Sequence, residues 1–138
     1  MNAYHDMYQE LVATPACEYK RLPDGIHEFI LHVSSHLAVD MMYEHLHELY
    51  RAAQPDGVFR SLVMSEKTNM PVAYTMQRTR AFYAEFPKRP PSRTAIVARK
   101  DSTLWGLVDA ALKMASTKEV VRFFAPQQRA EAIIWLYS

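Results

Sequence analysis

The sequence predicts an α/β domain with a five-stranded, mostly parallel sheet and four main helices, in the order β-β-α-β-α-β-α-β-α. Three observations carry this. A turn signal, Leu22-Pro23-Asp24-Gly25, separates two short runs of β-forming residues. After the second run the apolar spacing changes to a helical period. From there to the end, short apolar runs alternate with helical stretches, and strands separated by helices pair in parallel.

The elements follow in order. Residues 1–16 end at Thr14-Pro15 and read as a short helix or arm, leaving 17–138 as a single domain. Cys17 to Arg21 reads as the first strand and Ile26 to Val33 as the second, closing a hairpin. Ser34 or Ser35 suits a helix N-cap. From Leu37 to Ala53 the inward stripe is Val39, Met42, Leu46, Leu49, Tyr50 and Ala53, with Met41 and Tyr43 outside it. Gln54-Pro55-Asp56-Gly57 ends that helix, and Val58 to Met64 forms the third strand. Thr68 or Asn69 is placed to cap a second helix with Pro71 in its first turn. Its stripe is Val72, Met76, Thr79, Tyr83 and Phe86, which leaves Phe82 facing out. Thr94 to Ala98 is a fourth strand of the kind buried on both faces. Asp101 or Ser102 caps a third helix with stripe Leu104, Val108, Ala111, Leu112 and Ala115. Val120 to Phe124 is the fifth strand, and Pro126 opens the closing helix.

This order resembles the STAS fold of sulfate transporters and anti-sigma-factor antagonists, in particular its SpoIIAA-like single-domain bacterial branch. The resemblance is carried mainly by the last third: Arg93-Thr94-Ala95-Ile96-Val97, Trp105, Val121-Arg122-Phe123-Phe124, and Glu131-Ala132-Ile133-Ile134-Trp135-Leu136. It implies the fold far more than an activity. The antagonists carry a phosphorylated serine in an Asp-Ser-Ser-Gly-like turn after the third strand. Here that turn reads Met64-Ser65-Glu66-Lys67-Thr68-Asn69, without the aspartate, the serine pair or the glycine, so the phosphorylation site is not carried over.

Composition narrows the function by exclusion. Cys17 is the only cysteine, which rules out an internal disulfide and a thiolate zinc framework and suits a reducing, cytoplasmic setting. No apolar run approaches the roughly 18 residues of a membrane span, and Met1 to Asp6 does not open like a secretory signal. Three glycines, Gly25, Gly57 and Gly106, form no phosphate-cradling loop, and there is no Gly-x-Ser-x-Gly elbow. Glu44 and His47 share one helix face, but no second Glu-x-x-His completes a di-iron site. His32 and His36 straddle a strand–helix junction. No catalytic set, metal or cofactor is expected.

Two polar features remain. Ser65, Thr68, Asn69, Ser102 and Thr103 follow the third and fourth strands, where open α/β sheets bind ligands. Arg78, Arg80, Lys88, Arg89 and Arg93 form a basic stretch, while residues 1–66 are acid-rich. The stretch reads as a protein-facing or solvated surface; a pI near 8 falls short of a nucleic-acid binder. The first expectation is therefore a non-catalytic interaction module, homodimeric, with a protein partner or small ligand. The alternative is a carrier or sensor of a small apolar or anionic ligand near the ends of strands 3 and 4. The third is an enzyme built around Ser65, Thr68 and His32.

Overall fold

The computed structural model describes residues 15–107 and 118–138. Strands β1 (Cys17–Arg21) and β2 (His27–Leu31) form the hairpin, followed by α1 (His36–Ala52), β3 (Phe59–Ser65), α2 (Val72–Glu85), β4 (Ser92–Val97), a 3-10 turn (Thr103–Gly106), β5 (Glu119–Phe124), a second 3-10 turn (Pro126–Gln128) and α3 (Arg129–Tyr137). The sheet runs β1-β2-β3-β4-β5, antiparallel at the hairpin and parallel elsewhere. The helix expected over Leu104 to Ala115 opens as the Thr103–Gly106 turn; 108–117 lies outside the described residues, as does the arm over 1–14. The described residues hold three α-helices, and most of the remaining expected one falls on 108–117.

Local chemistry sets the boundaries. Gly25 closes the hairpin with φ +85, a backbone that a Cβ disfavours, and Leu22 and Ile26 join across the turn at 2.9 Å. Ser35 holds the N-cap position of α1 without a side-chain cap bond. At α2 the cap position belongs to Pro71, not Thr68 or Asn69. Ser102 does cap, its hydroxyl accepting from the Leu104 N–H at 3.2 Å.

Side chains alternate across the strands, so the sheet feeds two cores, one on each face. One face packs under α1 and α2, with Cys17, Phe29, Leu31, Val39, Met42, Tyr50, Phe59 and Phe82 buried there. The other packs under α3 through Ile26, Leu62, Ala95, Val97, Phe124, Ala132 and Leu136. On this second face Arg129 reaches the buried Glu28 at 2.6 Å. Arg60 Nε donates to the Leu136 carbonyl at 2.7 Å, and Arg93 donates to the Ser138 carbonyl at 2.8 Å while covering the Trp135 ring. Arg60 thus sits on a C-terminal carbonyl of α3 and Arg93 on the capping residue just beyond it, at the end where the helix dipole favours cations.

Two orientations differ from expectation. Phe82, expected to face outward, is 3% exposed and touches Tyr43, His47, Tyr50, Tyr83 and Phe86. Tyr43, expected outside the inward stripe, is buried and its hydroxyl bonds Thr79 of α2. The two helices pack against each other as well as the sheet, so each buries a wider arc than one stripe.

Candidate functional site

Between the sheet and the α1–α2 layer lies a cavity of about 160 Å³. Strands β2 to β5 supply its floor, α1 and α2 its roof, and Leu104 and Leu107 part of one end. The pairing register orders the floor into rows. Val63, Ile96 and Phe123 lie beside Phe29 in an entirely apolar upper row. Below it come Ser61, Thr94 and Val121, and below those Ser92 beside Glu119. Polarity therefore concentrates toward the N-terminal ends of the strands.

The middle polar groups satisfy one another. Ser61 and Thr94 hydroxyls pair at 3.0 Å. Thr75 and Thr79 each donate to the carbonyl four residues back, that of the capping Pro71 and that of Thr75, at 2.8 Å. What remains strongly polar is the lower end. There Arg89 Nε bonds Glu119 Oε1 at 2.5 Å, both side chains largely buried. The same guanidinium donates to the Phe86 and Tyr83 carbonyls at 3.2 and 3.4 Å and lies 4.0 Å from the centre of the Tyr83 ring. Glu119 lines the cavity; Arg89 stands behind it.

Burial shifts the phenols that line the cavity. Burial pushes the Tyr50 phenol well above its ordinary range, with Tyr83 and Glu119 adding to the rise and Ser92 and Arg89 opposing it. Burial also raises Tyr83, followed by the Glu119 charge. Tyr43 is pushed up to about 12, chiefly by burial. These phenols stay protonated at neutral pH and can donate or accept hydrogen bonds.

The residues singled out in the sequence lie elsewhere. Ser65 makes a local turn, its hydroxyl donating to the Lys67 carbonyl at 3.0 Å. Thr68 and Thr103 are joined through the backbone at 2.7 Å, and the Thr103 hydroxyl donates to the Met70 carbonyl at 2.8 Å. Ser102 is engaged as a cap, and Asn69 follows Thr68 in the loop between β3 and α2. None of the five lines the cavity. His32 Nδ1 faces Glu66 at 3.2 Å rather than Ser65. His47 pairs with Glu85 at 3.1 Å, and among the described residues no three His, Cys, Asp or Glu side chains gather as a metal site.

The basic stretch is dispersed. Arg78 contacts Asp40 at 3.4 Å and the Tyr43 ring, Arg89 serves the buried pair, and Arg93 lies on the opposite sheet face under α3. Only Arg80 and Lys88 are exposed. Glu119 and Tyr50 went unrecognised as cavity residues. The first sits just before an apolar run and the second inside an ordinary stripe, so the one available signal was an acid entering a buried strand.

Comparison with family models, with curated proteins and with solved structures finds no match.

Proposed function

We propose that this domain is a non-catalytic binding module, built on a STAS-like scaffold, that holds a small and mainly apolar molecule between its sheet and helices α1 and α2. The observation that carries the reading is the graded cavity: an apolar upper row, a self-satisfied middle and one polar end. A cavity of about 150 Å³ with apolar walls is enough to hold benzene. The element order and sequential sheet support the scaffold assignment. The ligand seat is moved from the strand ends expected from the sequence to the middle of the floor.

Toluene titrated against isotope-labelled protein, up to its aqueous saturation, tests the reading. The expected result is saturable shifts of Val63, Ile96 and Val121 methyls, abolished by the cavity-filling Val121→Phe. A flat response in the folded wild type overturns it.

Homodimerisation is a second reading, favoured by exposed apolar side chains on the α3 side: Ile134 at 70% and Tyr137 at 41%. Light scattering at high concentration decides it: twice 16.0 kDa is expected, and a persistent 16.0 kDa particle refutes it.

A further inference from the structure

We propose that the cavity selects uncharged aromatic molecules bearing one hydrogen-bond donor, of the phenol, indole or primary-amide class, seated with the donor on Glu119 and the ring against the apolar upper row. This inference rests on the cavity being a ligand site and adds the chemistry of its occupant.

The charge pattern at the lower end gives the sign. Glu119 lines the cavity, whereas the Arg89 guanidinium lies behind it and is engaged by the carboxylate, by two carbonyls and by the Tyr83 ring. An entering group therefore meets the acceptor half of the pair first. A carboxylate or phosphate would bring like charge against Glu119, with the Arg89 guanidinium already committed. An ammonium would add a net charge to a place where Arg89 has already balanced Glu119, and a buried charge without its own partner is costly. A neutral O–H or N–H escapes both penalties. A carboxylate offers about four lone-pair positions, so it can serve Arg89 and still accept from other donors.

Shape and position agree. Phe29, Tyr43, Tyr50, Phe82, Tyr83 and Phe123 surround the space, and aromatic walls favour a flat ring. The hydroxyls farther up the wall are engaged: Ser61 and Thr94 pair with each other, Thr75 and Thr79 bond carbonyls four residues back, and Tyr43 bonds Thr79. Among the described lining residues the charged group thus lies at the lower end, and the proposed occupant points its donor there.

Isosteric pairs give the test, read by calorimetry or by shifts of cavity methyls: p-cresol against 4-fluorotoluene, and benzamide against benzoate. The expected result is that p-cresol binds roughly tenfold tighter than 4-fluorotoluene, the size of one net hydrogen bond. Benzamide is expected to bind at least tenfold tighter than benzoate. If p-cresol and 4-fluorotoluene bind equally, the donor selectivity is overturned while the cavity remains a ligand site. If benzoate binds as well as benzamide or better, the charge argument is overturned. If none of the four binds to folded protein, the binding function falls, and this inference with it. Glu119→Gln, whose amide can donate to an anion, is expected to bring the benzamide-to-benzoate ratio toward one; an unchanged ratio in a folded variant refutes the role of Glu119. Should that variant not fold, the wild-type pairs decide alone.

Discussion

Removing Glu119 takes the carboxylate from the Arg89 guanidinium where water reaches poorly. Glu119 is 5% exposed, and Arg89 also holds the carbonyls at the end of α2. Glu119→Ala is therefore expected to cost about 3–5 kcal/mol, the usual penalty for breaking a buried ion pair from one side. The Arg89→Ala/Glu119→Ala double variant should lose much less than the sum of the singles; additive losses in urea titrations would show that the two do not act as a pair. Phe82 gives a second prediction at this scale. Phe82→Ala removes the ring on which Tyr43, Tyr50 and Phe86 converge, beside an existing cavity. A loss of about 3–5 kcal/mol is expected. The enlarged space should take benzene, so saturating benzene should raise the variant's melting temperature more than the wild type's; an equal or smaller rise contradicts the placement of Phe82 on the cavity wall. Neither residue was legible as a site residue in the sequence. The α2 stripe through Met76, Thr79 and Tyr83 was correct as far as it went, but Phe82 is buried by a neighbouring helix, and periodicity within one helix carries no trace of its neighbour.

Among elements, α3 shows how the second face is held. It is nine residues long, too short to be stable alone. Its buried residues Ala132 and Leu136 dock on Leu62, Ala95 and Val97, while Arg60 secures the Leu136 carbonyl and Arg93 the capping residue Ser138. Arg60→Met keeps an unbranched apolar stem over the sheet and deletes one charged donor at the negative end of the helix. A loss of about 1–2 kcal/mol is expected. It should appear first as faster amide hydrogen exchange in α3 with α1 unchanged; uniform acceleration throughout the chain would mean that Arg60 supports the whole domain rather than this docking. The elements themselves were readable: β1 was placed residue for residue, and the other strands and α1 to within a few residues. Turn chemistry and apolar runs act locally, which is why they survive in the sequence. The cap of α2 did not, because two polar candidates, Thr68 and Asn69, preceded the proline that occupies the position. The basic stretch misled for the complementary reason: Arg78, Arg89 and Arg93 are near in sequence but serve a helix seam, a buried acid and the opposite sheet face.

At the scale of the molecule, the alternation of short apolar runs with helical stretches was enough to predict the parallel sheet, since parallel neighbours require crossovers. It could not predict a gap between the layers, because a void is a property of how side-chain volumes add up across four strands and two helices. That same interlayer space concentrates weak acids away from water, with a measurable consequence. Burial pushes Cys17 up to about 12 from 9.0 and Tyr43 up to about 12 from 10.0, and it raises Tyr50 and Tyr83 as well. In each case the folded protein holds its proton more tightly than the unfolded chain. Stability is then fully present below pH 9.0, where both states are protonated at these groups. Above it the unfolded chain releases protons that the folded one retains, and stability falls until the folded values near 12 are passed. Each group contributes up to about 1.4 kcal/mol per pH unit within its own interval. Urea midpoints measured from pH 7 to 11 should therefore hold steady and then drop steeply. Tyr43→Phe should flatten the drop even though it removes the hydrogen bond to Thr79 at every pH, because the lost bond lowers the whole curve while the lost proton changes its slope. An unchanged slope in that variant would mean that Tyr43 ionises as readily inside the fold as outside it, and that the space between the helices and the sheet is wet rather than dry.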